Sequence, residues 1–513
     1  MSLPSVSLQT HRADSLDYLA VVDQGTSSTR CLILHRDGTV VASAGRPLPL
    51  AFPRPGWVEQ DPLQIIDHAQ DVLREALSRA AITSSRLAAL GITNQRETVV
   101  IWDRRTGQPI GPAVVWQDRR TVDACSRLRA DGVEEQVRAR TGLPLDPYFS
   151  ATKIAWLLDS HPGLRACAEN LIAGTIDTWL LWNLTGGPEG GIAATDVTNA
   201  SRTQLLDLER LTWDRTMAEV FDVPLVMLPE VRPSARAEPF GIARIDGAEI
   251  PILAVLGDQQ AALVGQKGLS PGDIKNTYGT GSFLLMNTGG GPPRASRHGL
   301  LSTVAYQFGD AFAAYALEGS VFTTGAAIQW LRDGISIIAT ADETSALALS
   351  VPDAGGVVFV PAFAGLGAPY WDADARGAIF GLTRGTTRAH LVRATLEAIA
   401  HQTREVVDAM QADAPDLAIP LVYADGGAAA NDFLCQFQAD LLSRPVVRPG
   451  NLEQTALGAA HAAGWAAGFW NLDDAPLSQQ QEVFTPQIPF AAAEAEHKRW
   501  KKAVQRVLER TGE

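Results

Sequence analysis

The chain has 513 residues, of which 46% are hydrophobic and 19% are charged, and its formal net charge is −14. This length exceeds what one hydrophobic core normally holds, so two large domains are expected. The acidic balance gives no support to nucleic-acid binding, which requires a basic surface. Local arginines, backbone N–H groups and metal ions can still bind anionic phosphates in such a protein.

The termini and the cysteines favour a cytoplasmic protein. The N-terminus has no basic region leading into a long apolar stretch, so no secretory signal is predicted, and residues 1–16 are expected to form a disordered tail. The most apolar segment, residues 456–470, is short and rich in Ala and Gly, which predicts a tightly packed buried helix and no membrane span. Four scattered thiols indicate a reducing compartment: Cys31, Cys125, Cys167 and Cys435.

Strands and helices alternate along the first half of the chain. Apolar runs and a turn at Asp37-Gly38 predict strands at 18–22, 30–35, 40–41, 87–92 and 99–102. Helical periodicity covers 62–81, 152–159 and 175–182.

The second half repeats this pattern. Strands are predicted at 274–278, 283–286 and 421–424, and helices at 391–410 and from Asn431 onward. The alternation predicts an α/β architecture. A stretch rich in turn formers, GQKGLSPG, places the domain boundary near residues 262–272. The predicted domains are therefore 17–265 and 266–513.

Three turns share one chemical pattern: DQGTSST (23–29), YGTGS (278–282) and DGGAAAN (425–431). Glycine allows tight backbone paths in which N–H groups converge on anionic oxygens. Asp23 would place a carboxylate near an Mg²⁺ ion carried by those phosphates. Neither a Walker A stretch nor a GxGxxG turn after a strand occurs, which argues against P-loop and Rossmann folds.

A carboxylate follows the apolar run 251–255 in the stretch LGDQQAA (256–262). A charge in that setting is costly unless it is paired, hydrated or used. Asp258 either caps the next helix or accepts a proton at the floor of a cleft beside the domain boundary, where ligand clefts are common. Gln260, two residues later, has no predicted role.

Arg96 and Glu97 stand together after the predicted strand 87–92. A guanidinium beside a carboxylate can bridge vicinal hydroxyl groups. From the residues alone, the same pair also fits a surface ion pair at a strand end, and Trp116 and Phe283 also fit core positions.

The order of the three turns resembles the actin/hexokinase/Hsp70 ATPase superfamily, and within it the FGGY carbohydrate kinases. YFSATKIAWLLDS (148–160) follows the first pattern of that family, although Ser160 departs where an amide or acidic residue is usual. GAIFGLTRGTTRAHLVRATLE (377–397) follows the second pattern throughout. The resemblance implies two ribonuclease H-like domains with a cleft between them, the first on the acceptor and phosphate side and the second on the nucleotide side.

More narrowly, the chain resembles the branch of this family that phosphorylates glycerol, through motifs that include GITNQRETVVIWD (91–103), GDQQAALVGQ (257–266) and PAFAGLGAPYWD (361–372). The resemblance implies ATP and Mg²⁺ as cofactors, with Asp258 as the general base. Implied acceptor ligands are Arg96, Glu97, Tyr148, Asp258 and Gln259, between aromatic walls at Trp116 and Phe283. Implied phosphate and nucleotide contacts are Thr26, Ser27, Ser28, Arg30, Thr280, Gly325, Gln329, Gly427 and Asn431, with Asp23 on the metal through water.

Two alternatives remain open from the sequence. The chain could phosphorylate another polyol or a ketopentose, or it could be an actin- or Hsp70-like ATPase that binds partners without an acceptor. The resemblance also implies a homodimer or homotetramer. Some family members bind a sugar bisphosphate at a Gly- and basic-rich loop, but EPFGIARIDGAEIP (238–251) lacks such a run, so that control is not predicted.

Overall fold

The computed structural model describes residues 16–451, 453–472 and 481–509. The tail predicted at residues 1–16 lies outside these ranges, apart from Leu16. The helices are α1 (Pro62–Ala80), α2 (Val122–Ala130), α3 (Glu134–Thr141), α4 (Ser150–Asp159), α5 (Ile176–Leu184), α6 (Val197–Ala200), α7 (Arg215–Val220), α8 (Asp258–Gly265), α9 (Gly325–Gln329), α10 (Glu343–Leu349), α11 (Arg388–Asp413), α12 (Asp432–Leu442), α13 (Gln454–Ala466) and α14 (Phe490–Leu508).

The strands of the first half are β1 (Tyr18–Gln24), β2 (Ser28–His35), β3 (Val40–Pro47), β4 (Glu59–Gln60), β5 (Leu87–Asn94), β6 (Val99–Asp103), β7 (Ala113–Val114), β8 (Leu171–Thr175), β9 (Ala194–Asp196), β10 (Leu206–Asp207), β11 (Thr212–Trp213), β12 (Glu230–Arg232), β13 (Gly241–Ile245) and β14 (Ala248–Gly257). Those of the second half are β15 (Ile274–Tyr278), β16 (Ser282–Gly290), β17 (Leu301–Tyr306), β18 (Ala314–Val321), β19 (Val358–Val360), β20 (Ala378–Phe380), β21 (Val422–Asp425), β22 (Val446–Pro449) and β23 (Gln481–Phe484).

Two large sheets share the pairing pattern of their central strands. The first has the strand order β13-β14-β5-β1-β2-β3, and the second has the order β17-β18-β16-β15-β21-β22-β23. In each, an opening strand pairs antiparallel with its successor (β1–β2, β15–β16) and parallel with a later strand (β1–β5, β15–β21). A further parallel pair extends each sheet (β5–β14, β21–β22). This duplication confirms the predicted α/β fold of two actin-like units.

Helices pack on the sheets and contribute to the two main cores. Helix α1 begins at Pro62, after Asp61, whose side chain accepts the N–H of Leu63, and it buries an apolar face that includes Ile65 and Leu73. Proline at the first helical position and an N-cap carboxylate favour this start. Helices α1 and α5 contribute to the core of the first sheet, and α11 and α12 contribute to that of the second.

Helix α13 belongs to the second half of the chain but packs on the first sheet. A Cβ at Gly458 would lie 1.7 Å from the carbonyl oxygen of Ala261 in α8, so these helices touch backbone to backbone. On its other side, a Cβ at Gly91 of β5 would lie 3.0 Å from the carbonyl oxygen of Ala459. The buried helix predicted at 456–470 is thus confirmed, with observed bounds 454–466. Within the described ranges, no helix is both long enough and apolar enough to cross a bilayer.

Candidate active site

The carboxyl ends of three parallel strands bring distant segments of the chain together. Strands β1, β5 and β14 lie side by side, and Asn94 pairs with Gln24 on one side and with Gly257 on the other. The residues after these strands are the first phosphate turn, the Arg96-Glu97 pair and Asp258, respectively. Ligands of open α/β sheets bind at such strand ends.

A cavity of about 290 Å³ opens at this edge. Its lining includes all seven residues predicted to hold the acceptor, together with three of those predicted to contact phosphates. The lining residues are Thr26, Ser27, Leu50, Arg96, Glu97, Trp116, Gln117, Tyr148, Asp258, Gln259, Thr280, Gly281 and Phe283.

Asp258 is the first residue of α8, directly after the N-cap Gly257. Its Oδ1 accepts the N–H of Gln259 at 2.7 Å and lies 3.3 Å from Nε of Arg96. The side chain keeps 27% of its surface exposed, so it reaches the cavity. The expectation that Asp258 occupies the N-cap position is therefore wrong, because Gly257 occupies it. The Asp258 carboxylate faces the cavity instead.

Arg96 is held by a buried carboxylate from the other sheet. Its Nη1 and Nη2 donate to the two carboxylate oxygens of Glu318 on β18, at 2.7 and 2.9 Å. Nη1 also donates to Oε1 of Gln260 at 3.2 Å. Gln260, for which the sequence predicted no role, therefore helps to hold Arg96. Burial disfavours ionisation of Glu318, but Arg202 and Arg96 outweigh it and lower the pKa of Glu318 to about 2.

Glu97 is buried and its backbone is strained. Its φ of +61° lies in the left-handed region, which is unusual for a residue other than glycine and is often found at functional sites. Nε of Arg202 donates to Oε1 of Glu97 at 2.7 Å. Burial raises the pKa of Glu97, with Arg96 and Arg202 opposing the shift. Among the described residues, no donor hydrogen-bonds the second carboxylate oxygen, Oε2, so this oxygen can accept a hydroxyl group.

Aromatic rings form the apolar walls of the cavity. The ring of Trp116 meets that of Tyr148 at 5.6 Å and that of Phe283 at 6.0 Å, both edge to face. The indole N–H of Trp116 donates to Oγ1 of Thr26 at 2.9 Å, which ties the wall to the first phosphate turn. A short carbon chain bearing hydroxyl groups fits such a site, with rings along its edge and polar groups at its oxygens.

Lys275 orients the side chain of Gln259, which lines the cavity. Its ammonium group donates to Oε1 of Gln259, to Oγ1 of Thr277 at 3.1 Å and to the carbonyl oxygen of Phe283 at 3.2 Å. The amide N–H₂ of Gln259 is left to donate to a ligand. Burial lowers the pKa of Lys275 to about 8.

The remaining predicted nucleotide contacts lie outside the cavity lining. The second turn is joined to α9, because the N–H of Gly325 donates to the carbonyl oxygen of Gly279 at 3.0 Å. Asn431 caps α12 and donates to Oγ1 of Thr344 at 2.9 Å. Ser28 and Arg30 lie on β2, Gln329 ends α9, and Gly427 opens the short turn before Asn431. Arg30 donates to Oε1 of Glu453 at 2.6 Å.

Comparison with known proteins identifies the family. Residues 18–265 match the N-terminal domain of the FGGY family of carbohydrate kinases, and residues 274–467 match its C-terminal domain. The chain belongs to the FGGY family.

Individual FGGY relatives cover nearly the whole chain. The chain is 51% identical over 504 residues to a glycerol kinase of Mycobacterium tuberculosis, covering 97% of both. It is 50% identical over 496 residues to a glycerol kinase of Chloroflexus aggregans, covering 96% of this chain and 99% of the relative. A crystal structure of Plasmodium falciparum glycerol kinase with ADP matches with a TM-score of 0.89 and 36% identity, over 96% of this chain and 99% of the other.

Four buried residues of this FGGY site were not predicted from the sequence: Arg202, Gln260, Lys275 and Glu318. The signal available was a lone charge in an apolar setting, since Glu318 is the only charged residue of β18 and Lys275 the only one of β15. Such a charge needs a partner, but the sequence does not say which residue supplies it.

The third turn offers a matched pair of glycine substitutions. Gly426 has a φ of +83°, and a Cβ there would lie 2.4 Å from the carbonyl oxygen of Tyr278. A Cβ at Gly427 would meet no atom of the described residues within 4 Å. We expect Gly426→Ala to lower the free energy of unfolding by about 1 kcal/mol or more. Gly427→Ala is expected to leave stability unchanged and to raise the KM for ATP, because the methyl group would enter space proposed for the nucleotide.

Urea unfolding and initial-rate measurements on both variants check this expectation. Equal stability losses in the two variants would contradict the assigned close contact at Gly426. An unchanged KM for ATP in Gly427→Ala would contradict the proposed nucleotide position.

Asp23 is the residue predicted to face a metal ion. Burial raises its pKa to about 7, Arg30 opposes the shift, and the nearby carboxylates of Asp258 and Glu453 add to it. A divalent cation carried by phosphates would offset this concentration of negative charge, and Mg²⁺ favours carboxylate and water oxygens. Among the described residues, no group of three or more His, Cys, Asp or Glu side chains could hold a metal by itself. Asp23, with the carboxylates of Asp258 and Glu453 nearby, fits a divalent cation.

Proposed function

We propose that the protein transfers the γ-phosphoryl group of ATP to a terminal hydroxyl of glycerol and forms sn-glycerol 3-phosphate. The observation that carries the proposal is the cavity of about 290 Å³ in which Arg96, Glu97 and Asp258 converge beside two phosphate turns. The full-length similarity to glycerol kinases supports the choice of acceptor.

The site residues have distinct proposed roles. Arg96, Glu97 and Gln259 hydrogen-bond the two hydroxyl groups that do not react, Tyr148 adds a phenolic hydroxyl, and the rings of Trp116 and Phe283 contact the carbon edge. Asp258 accepts the proton of the attacking hydroxyl. Hydrogen-bond reach and a position beside the phosphate turns are what this role requires.

The transfer is an in-line displacement. The glycerol oxygen forms a bond to the γ-phosphorus while the bond from that phosphorus to the bridging oxygen breaks, and the bonding pair leaves with ADP. The proton of the glycerol hydroxyl moves to the Asp258 carboxylate. Positioning and charge neutralisation supply most of the catalysis in such reactions.

We assign the phosphate and nucleotide contacts to the residues that the family resemblance implies. Thr26, Ser27, Ser28, Arg30 and Thr280 hold the phosphates, and Gly325, Gln329, Gly427 and Asn431 lie along the nucleotide. When bound, Mg²⁺ supplies charge neutralisation at the phosphate oxygens, and Asp23 is proposed to hold it through water. A domain of residues 17–265 would thus carry the acceptor and phosphate side, and a domain of residues 266–513 the nucleotide side. From the family resemblance we also propose a homodimer or homotetramer in the cytoplasm.

An acceptor panel tests the proposal. ADP release is measured with ATP, Mg²⁺ and either glycerol, xylulose, ribulose or gluconate, with a no-acceptor control. We expect kcat/KM for glycerol to exceed that of every sugar by about 100-fold or more, because a site built to bind particular hydroxyl groups discriminates strongly. Preference for a sugar would reassign the chain to another FGGY activity. Absence of any acceptor dependence, together with ATP-dependent assembly, would favour a non-kinase ATPase.

A further inference from the structure

A buried network of alternating acidic and basic side chains joins the two sheets beside the cavity. Glu318 on β18 belongs to the second sheet, whereas Arg96 and Arg202 come from the first half of the chain. Nη2 of Arg202 donates to Oε1 of Glu318 at 3.2 Å, and Nε of Arg202 donates to Glu97. Glu318 and Arg202 are fully buried, and neither is among the described residues that line the cavity.

The hydrogen bonds of Arg96 determine which of its N–H groups can donate to a ligand. A guanidinium carries five N–H groups in a rigid plane. Three of them are used, two by Glu318 and one by Gln260. Among the described residues, no acceptor hydrogen-bonds the Nε–H or the second Nη2–H, and Nε lies 3.3 Å from Asp258 and 3.9 Å from Glu97. The two-point contact with Glu318 thus fixes the guanidinium plane and the edge that can meet a ligand.

The same carboxylate acts on Glu97 through a second arginine. Arg202 bridges Glu318 and Glu97 through Oε1 of each, and Oε2 of Glu97 accepts no hydrogen bond from the other described residues. Fork-like pairing of arginine with a carboxylate adds geometric specificity as well as energy. One carboxylate from the second sheet therefore sets the orientation of Arg96 and Glu97, which line the cavity together with Asp258.

We propose that Glu318 is a positioning residue that makes the site selective for an acceptor with hydroxyl groups on neighbouring carbons. It does so by orienting Arg96 directly and Glu97 through Arg202. This inference rests on the proposed glycerol phosphorylation, because Arg96 and Glu97 are the groups that bind the two hydroxyls that do not react. Since Glu318 belongs to the second sheet, the acceptor site is complete only while the two sheets keep this arrangement.

The test compares Glu318→Gln with a conservative variant and a matched control. In E318Q the amide N–H₂ would face the Arg96 donors, so one of the two hydrogen bonds is lost. We expect the KM for glycerol to rise roughly 10- to 100-fold while the KM for ATP changes by less than about threefold. E318D keeps the carboxylate and should recover part of the loss. D214N is the control. Asp214 is also a buried carboxylate, its Oδ2 lies 2.7 Å from Nη1 of Arg140, and it does not line the cavity.

A second readout separates positioning from a general loss of stability. Propane-1,3-diol lacks the middle hydroxyl of glycerol, and propane-1,2-diol lacks one terminal hydroxyl. We expect E318Q to reduce the preference for glycerol over these diols, measured as the ratio of kcat/KM values, by about 10-fold or more, because the hydroxyl-binding groups are misplaced. Equal losses on glycerol and on both diols would show a merely structural role and would overturn the inference.

The outcomes also separate this inference from the proposed function. If the wild-type protein shows no glycerol-dependent ADP release, the proposed function fails. If the wild type phosphorylates glycerol and E318Q keeps both the wild-type KM and the wild-type preference, only the role of Glu318 fails. Should E318Q not fold, R202K carries the test, because it keeps the charge and removes the fork between Glu318 and Glu97. A reduced preference for glycerol in R202K would support the inference, and an unchanged preference would overturn it.

Discussion

Asp258→Asn is expected to slow phosphoryl transfer by about 10²–10⁴-fold and to leave nucleotide binding intact. The amide has nearly the size of the carboxylate, and its oxygen can still accept the N–H of Gln259 and face Arg96, so the cavity keeps its shape. It cannot accept a proton from the attacking hydroxyl. Because Asp258 is partly exposed, the fold loses little when its charge is removed.

Single-turnover rates measure the expected loss of phosphoryl transfer, and equilibrium binding of an ATP analogue measures whether nucleotide binding is intact. Asp353→Asn is the matched control, since it makes the same change at an exposed carboxylate outside the acceptor cavity. Wild-type turnover in Asp258→Asn would contradict the assignment of the general base. Loss of nucleotide binding would show that Asp258 serves the phosphates and not the acceptor.

Arg96→Met is expected to damage both stability and acceptor binding. Removing the guanidinium leaves Glu318 with one fewer cation in a fully buried setting, and breaking a buried ion pair from one side costs about 3–5 kcal/mol. It also removes the donors proposed for the acceptor hydroxyls, so the KM for glycerol should rise by about 100-fold or more. Arg96→Lys should be less destabilising, because it keeps the charge, but it loses the two-point contact.

Chemical unfolding and glycerol titrations check this expectation against a surface pair of the same geometry. Arg294 pairs with Asp416 through two hydrogen bonds of 2.7 Å, but both side chains are partly exposed. Arg294→Met should therefore cost no more than about 1 kcal/mol. Similar losses for the two arginines would mean that the buried pair has no special role in this fold.

The sequence predicted local elements closely where their periodicity was strong. Helix α11 was expected at 391–410 and runs over 388–413, and Asn431 caps the helix predicted to start there. The packing of α13 on the first sheet was not predictable in the same way. It depends on contacts such as that of Gly91 with Ala459, which join residues more than three hundred positions apart, and local periodicity carries no such information.

The residues of the cavity were also predictable only in part from the sequence. The family resemblance predicted most of the residues that line the cavity, but not Leu50, Gln117 or Gly281. The parallel strand ends explain why Arg96 and Asp258 meet. The partners that hold them were missed, because the Arg96–Glu318 pair spans 222 positions. A lone Glu in an apolar strand signals that a partner exists, and only the three-dimensional arrangement shows that this partner is Arg96, which lines the cavity.

The most direct test of the proposed mechanism is a crystal structure of the protein with glycerol and a non-hydrolysable ATP analogue. The proposed mechanism predicts a terminal hydroxyl of glycerol about 2.6–3.2 Å from a carboxylate oxygen of Asp258 and in line with the γ-phosphorus. The other two hydroxyls should contact Arg96 and Glu97. Glycerol bound away from Asp258, or a γ-phosphate held away from the turns at Thr26 and Thr280, would contradict it.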